Sequence, residues 1–325
     1  MVVDKIIVAT VTYNSSHYLR RLVEAVAIQK YPVEKIVAID NASTEEHKKA
    51  ISALAADYPF LEVVTFSENL GGAGGFEKGV QYILDKGYEF DWIWIMDDDA
   101  FPREDCLEKM MEHKNLEKIG ALIPMIYGVE LQQFQFYHHK RISKYLDSDI
   151  RVGNSLEEFD DITEIETNAF VGPLVSKHAI ANVGIPNGSL FIYGDDTEYM
   201  YRISRKYKLY LIKDAVMNHR DVQENNSVIN PGRFWKEYYK YRNRLLFIAE
   251  FQENRWKRFC GQMLVIKAIL RETISTLRHK EYHGYRKLRI SCLFKAISDG
   301  LSLRSGKTID PAEFMKAIGH RKKTA

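Results

Sequence analysis

Residues 91–102 read DWIWIMDDDAFP, an apolar run that stops at three consecutive carboxylates, Asp97, Asp98 and Asp99. A short run rich in Ile and Trp predicts a buried strand. Three carboxylates cannot continue into a dry core, because unpaired buried charge is expensive. Two readings follow. The triplet is a solvated turn or helix cap, or it faces a cation. A divalent ion carrying a phosphate is the economical cation, since hard ions take oxygen ligands. Alternate residues of an extended segment point the same way. Asp97 and Asp99 can therefore address one ligand, with Asp98 turned aside.

The rest of the N-terminal half frames that strand. Apolar segments at 6–13, 35–40, 61–66 and 92–96 alternate with helical spacing at 17–30, 45–57 and 75–86. Such alternation predicts a mainly parallel sheet covered by helices. Ligands of such sheets bind beyond the carboxyl ends of the strands. Thr12–Asn14, Asp40–Ser43, Asn69–Gly75 and Asp97–Asp99 all fall at strand ends, so four polar clusters converge on one edge. Further on, 104–118 reads as a helix, 119–126 as a strand, and 128–165 as an inserted hairpin or loop. Residues 189–207 read as a strand, an acidic turn and a helix, and 209–221 as a strand leading to His219.

Charge divides the chain. From Gly232 to Ala325 there are 22 Lys and Arg against 8 Asp and Glu, a net of +14, and the remainder carries 24 against 36, a net of −12. We expect a catalytic domain at 1–232 and a helical, basic region at 233–325 that faces polyanions, lipid headgroups or nucleic acid. Three scattered cysteines form no zinc or disulfide pattern, which suits a reducing cytoplasm. No uncharged apolar stretch reaches the ~18–20 residues of a membrane span.

Three further motifs carry chemistry. ENLGGAGGF (68–76) lets backbone approach a ligand ahead of a helix N-terminus that favours anions. It is neither a dinucleotide fingerprint nor a Walker motif, and a plain tight turn is the competing reading. Asp195 and Asp196 can cap a helix. As like charges side by side they can also supply a general base. His219, with Asp221 two residues on, is either a structural hydrogen-bonder or a metal ligand.

The ordered set VTYN (11–14), IDNAS (39–43), ENLGGAGGF, MDDDA (96–100), YGDDTEYMYR (193–202) and NHRD (218–221) resembles family 2 glycosyltransferases of the GT-A nucleotide-diphospho-sugar fold. Within them it is similar to the bacterial galactofuranosyltransferase and rhamnosyltransferase group, over roughly residues 4–250. The resemblance implies that Thr12, Asn14 and Asp40 line the nucleobase and ribose pocket. Asn69, Gly71, Gly72, Gly74 and Gly75 would border nucleotide and donor sugar. Asp97 and Asp98 would join the donor site. Asp97, Asp99 and His219 would hold Mn²⁺ or Mg²⁺. Asp196 would be the base that deprotonates an acceptor hydroxyl, with Asp195 orienting the sugar, and one displacement gives inversion. Trp92 is a candidate sugar contact, with burial as the alternative. The implied partners are UDP-galactofuranose first and dTDP-rhamnose second, and a glycan or lipid-linked glycan acceptor. The implied place is the inner face of the cell membrane.

In the basic region, WKEYYKYRNR (235–244) either packs its aromatics or offers Tyr238, Arg242 and Arg244 to an acceptor. Trp256, Phe259, Met263, Ile266, Ile269 and Leu270, with Lys257, Arg258, Lys267 and Arg271, form an amphipathic stretch. It suits an anionic membrane, a homo-oligomer face or a core helix. A nucleotidyltransferase would share the aspartates but carries a basic Gly-rich signature after its first strand, which VTYNSSHY lacks. A nucleic-acid binder is disfavoured by the acidic body and the absence of a binding motif.

Overall fold

The computed structural model describes residues 3–221 and 230–323, with side chains to 318. The chain forms two compact units. The first comprises Met1–Arg141, Ile150–Gly188 and Asp195–Gln223; the second comprises Ile142–Asp149, Ser189–Gly194 and Glu224–Ala325.

The first unit opens with the expected alternation: β1 (Ile6–Thr12), α1 (Ser16–Ala27), β2 (Lys35–Asp40), α2 (Glu45–Asp57), β3 (Leu61–Thr65), α3 (Gly71–Asp85) and β4 (Trp92–Asp97). β1 pairs in parallel with both β2 and β4, in a register that sets Thr12 opposite Asp40 and Val11 opposite Asp97. The strand ends carrying the polar clusters are thus neighbours. The chain then adds β5 (Ala100–Pro102), α4 (Cys106–Met111), β6 (Ile119–Gly128), β7 (Gln133–Phe134), β8 (Lys140–Ile142), β9 (Asp149–Arg151) and β10 (Ile162–Ile165). β11 (Val171–Ser176), α5 (Lys177–Val183), α6 (Asp195–Ser204) and β12 (Lys208–His219) complete it. The main sheet runs β10-β12-β6-β11-β4-β1-β2-β3, with β5 and β7 attached to β12 and β6. β11 is antiparallel to β4 and β6, so the parallel run is interrupted there.

Alternation along β1 buries Ile6 and Val8 on one face with Leu19, Leu22 and Met110, and Ile7 and Ala9 on the other with Phe76, Val80 and Tyr199. Trp92 belongs to this packing and donates Nε1–H to Asp4 at 3.0 Å, so it is not a sugar contact. The predicted helix over 104–118 is shorter, Cys106–Met111. Beyond Met111 the segment is polar, with Leu116 as its apolar anchor, and Lys118 takes φ 51° just before β6. The glycine run is not a loop. It forms the first turns of α3, because a Cβ on Gly75 would meet Val11 Cγ1 at 2.5 Å. Glycine there lets the helix sit directly on β1.

In the second unit the strand expected near 189–193 is a turn. Phe191, Tyr193 and Gly194 have φ of 68°, 64° and 84°, which no strand accepts. Its helices are α7 (Phe234–Phe251), α8 (Arg255–Arg278), α9 (Arg286–Leu301) and α10 (Pro311–Lys323). Tyr238 and Arg242, read from sequence as acceptor contacts, are fully buried here. Tyr238 Oη donates to Asp299 at 2.6 Å. Arg242 donates to the carbonyls of Leu190 and Gly306 at 2.9 and 2.6 Å. Asn243 Nδ2 adds bonds to the carbonyls of Leu190, Ile192 and Tyr193, so α7 clamps the turn. Arg244 pairs with Asp149. Aromatic and basic residues at helical spacing have here become a packed core rather than an open binding face. Ile269 of the amphipathic stretch also turns inward.

Candidate active site

The carboxyl ends of β1 and β2 and the start of α3 hold the first group of residues singled out from the sequence. Asp40 is fully buried; its Oδ1 accepts from Ser43 N at 3.0 Å, while Oδ2 has no hydrogen-bond partner. A buried carboxylate oxygen left open costs stability unless a ligand donor meets it. Asn14, at φ 54°, accepts from Thr44 N through Oδ1 at 2.8 Å and joins the loops after β1 and β2. Asn41, visible in the sequence only as part of the 40–43 cluster, donates to Gly71 O at 2.9 Å and accepts from Leu70 N at 2.9 Å. It ties the β2 loop to the start of α3, where Asn69 Oδ1 accepts from Gly71 N at 2.8 Å. Space lies open above Gly72, where an added Cβ would meet nothing within 4 Å.

At the end of β4 the carboxylates crowd. Burial pushes Asp97 well above the usual range, and Asp99, Asp98, Asp195 and Asp196 push the same way. Burial raises Asp98 to about 7, opposed by the Thr12 hydroxyl and Arg220. Asp195, in the first turn of α6, is raised to about 8 by burial and by Asp196. Asp196 is half-buried and accepts from Thr197 N at 2.6 Å. Two segments far apart in sequence, the end of β4 and the first turn of α6, therefore bring five carboxylates together. α6 is held in place by Glu198, whose carboxylate pairs with Arg202 at 2.7 Å, while Arg202 also donates to the carbonyls of Val183 and Ile185.

β12 carries the imidazole, and the short β5 sets its place. It pairs antiparallel with β12, setting His219 opposite Ala100, and His219 Nε2 lies 3.5 Å from Asp99 Oδ1. Gln135 Oε1 lies 2.9 Å from His219 Nδ1 and 2.9 Å from His138 Nε2. Both rings donate to that oxygen. In the neutral ring His219 Nε2 then carries the lone pair, so two acceptors face each other across a gap that suits a cation. Gln135 had no sequence signal; only the fold brings it under His219. Asp221 plays a different part, accepting from Glu130 N at 2.8 Å and latching the end of β12.

Among the described residues no three His, Cys, Asp or Glu side chains converge as a preformed metal cage. At this edge one donor pair stands ready, Asp99 and His219, with the Asp97 carboxylate near Asp99. An oxygen and a nitrogen donor with open positions suit Mn²⁺ or Mg²⁺ completed by ligand oxygens. The donor set fits such an ion.

Polar clusters at strand ends, five carboxylates and the His219 imidazole thus gather at one edge of this mixed sheet. Residues 7–184, more than half of the chain, match the family described as Glycosyl transferase family 2, and the chain belongs to it. It is a glycosyltransferase with the GT-A fold. The matched stretch includes Asp97–Asp99 and ends before Asp195, Asp196 and His219.

The chain is 24% identical over 288 residues to galactofuranosyltransferase GlfT1 of Mycolicibacterium smegmatis, covering 82% of this chain and 93% of that one. It is 25% identical over 257 residues to the dTDP-rhamnosyl transferase RfbF of Shigella flexneri, covering 74% and 78%. In structure it is similar to the mannosyltransferase PcManGT of Pyrobaculum calidifontis, solved in complex with GDP-Man and Mn²⁺. The TM-score is 0.55 at 14% identity, over 92% of this chain and 87% of that one.

Proposed function

We propose that the protein transfers a hexosyl unit from a nucleotide-diphosphate sugar to a hydroxyl of a glycan acceptor, lipid-linked or polymeric, with inversion at the anomeric carbon. Galactofuranosyl from UDP-galactofuranose is the favoured donor group, and dTDP-rhamnose is the second; both follow the relatives named above. The observation that carries the reading is the cluster of five carboxylates, one of which, Asp99, meets His219. Repulsion of that size is kept where a cation and its anionic ligand balance it.

Asp99 and His219 would hold Mn²⁺ or Mg²⁺, and the ion when bound would neutralise charge on the leaving diphosphate. Asp40 and Asn14 would orient the nucleoside, and Asn69 with Gly71, Gly72, Gly74 and Gly75 would border the diphosphate and sugar. Asp97 and Asp98 would face ribose and donor sugar. Asp196, the more exposed of its pair, would take the proton from the attacking hydroxyl. Asp195, whose raised pKa keeps it protonated near neutrality, would donate a hydrogen bond to the sugar. The proton passes to Asp196, the bond from acceptor oxygen to anomeric carbon forms, and the nucleoside diphosphate leaves with its electron pair. A membrane surface that presents the acceptor is the proposed place of work.

The test is thermal stabilisation by UDP, dTDP, GDP and CDP, each with and without Mn²⁺. A ligand at 100 times its dissociation constant adds ~2.7 kcal/mol. A Mn²⁺-dependent shift with UDP, followed by turnover of UDP-galactofuranose, is expected. A shift with dTDP alone moves the donor to rhamnose. No shift with any nucleotide overturns the proposal.

A further inference from the structure

We infer that the outer face of α8 docks on an anionic lipid surface. This goes beyond the transfer reaction and rests on the reading above only for its membrane setting.

The face is unusual in what it exposes. Trp256, Phe259, Met263, Leu270, Ile274 and Leu277 are 70%, 50%, 39%, 45%, 47% and 54% exposed. At ~100° per residue these six fall within about 60° of helical arc. They form one continuous stripe along 22 of the 24 residues of α8. The opposite face, Gly261, Val265, Ile269 and Thr276, is buried, so the helix is already fixed on its own unit without using the stripe. Folding has therefore left six large apolar side chains in water, a cost that marks an interaction surface.

Charge selects the occupant. Lys267, Arg271 and Arg278 are exposed and lie along one flank of the stripe, within about 60° of it. Glu272 is the one carboxylate in the helix, and it points away to Arg289 at 2.6 Å. An apolar band beside a ridge of bases, with no acidic side chain of α8 turned towards it, complements a surface that is apolar below and anionic above. That is the interface of an acidic bilayer, where Trp and Phe enter the acyl boundary and Lys and Arg meet the headgroups. No helix among the described residues is long and apolar enough to cross a membrane. α8 would lie along the surface.

The test is cosedimentation of the full chain with vesicles of phosphatidylglycerol and phosphatidylcholine, against phosphatidylcholine alone. Binding to the acidic vesicles, weakened by salt, is expected. The triple change Lys267→Glu, Arg271→Glu and Arg278→Glu should weaken it on the order of a hundredfold or more. The double change Trp256→Ser and Phe259→Ser should lower it at every salt concentration. No binding to acidic vesicles, or binding indifferent to both variants, overturns the inference. So does a dimer in light scattering that the double change dissolves without any vesicle binding, which would assign the face to a second copy. Tighter binding of duplex DNA than of vesicles would also overturn it. The Mn²⁺-dependent nucleotide shift, measured on each variant, separates the two proposals. Its presence without vesicle binding refutes the docking face alone, and the reverse pattern refutes the transfer reading alone.

Discussion

The two units treat buried charge in opposite ways. In the second unit each buried ion is answered. Arg289, 4% exposed, meets Glu237 at 2.9 Å, Glu272 at 2.6 Å and the Thr276 hydroxyl at 2.7 Å. Asp299 is met by Lys295 at 2.8 Å and by Tyr238 at 2.6 Å. In the first unit the carboxylates of β4 and α6 crowd together, and burial first, with their mutual repulsion second, raises the pKa values of Asp97 and Asp195. Compensated charge specifies a structure. Charge left to repel itself specifies a ligand.

The sharpest way to break this contrast is turnover. Asp99→Ala should lower Mn²⁺-dependent transfer by about a hundredfold to a thousandfold, in the range of lost electrostatic stabilisation at an active site. Its far-ultraviolet dichroism should stay unchanged, and a variant that still turns over would end the assignment of Asp99. Arg289→Ala should act in the opposite register. It strands Glu237 and Glu272, so chemical denaturation should show a loss of about 3–5 kcal/mol, with nucleotide affinity of the folded fraction retained. A stability loss below 1 kcal/mol would mean that the network is solvated after all.

Gln135→Ala gives a smaller effect on the site itself. Without its amide oxygen His219 loses the bond that fixes its tautomer, and Mn²⁺ affinity should fall about 10–100-fold. Titration followed by Mn²⁺ electron paramagnetic resonance reads this directly; Gln135→Glu, which keeps an acceptor, should restore most of it. The last effect concerns pH. The Asp195 carboxyl has a folded pKa of about 8, above its unfolded value. The protonated form is therefore favoured by folding, and that contribution is full below the unfolded pKa and is lost as pH rises through about 8. Melting temperature of metal-free protein should decline over that rise, and Asp195→Asn should flatten the slope. Equal slopes in both proteins would show that Asp195 is solvated.

Much of the first unit was legible because its signals are local. Alternating apolar segments, a glycine run and DDDA each fall within ten residues, and strand-end logic collects them on one edge. Gln135 was not legible, and of Asn41 only its place in the 40–43 cluster was, not its bonds to Leu70 and Gly71. An amide earns its role from what the fold brings under it, and nothing near Gln135 in sequence points to His219. Tyr238 and Arg242 failed for the same reason in reverse. Their spacing on α7 is visible, but the carbonyls of Leu190 and Gly306 that satisfy Arg242 come from segments some fifty to sixty residues away. The turn at 189–194 was missed because its left-handed residues, Phe191 and Tyr193, are types that seldom adopt that conformation. Asn243 holds it, from another element.

The pairing of β5 with β12 has a consequence for how the chain comes into being. Asp99 and His219 stand 120 residues apart in sequence and meet through a strand of three residues. Closing so long a loop is entropically costly, and contacts of that separation form slowly. A nascent chain that has emerged only through α6 would possess the whole acidic cluster and none of the imidazole. Metal-dependent grip on a nucleotide would therefore appear only after β12 has inserted beside β6, near the end of sheet assembly. During synthesis, loading of the site would report that the sheet is finished.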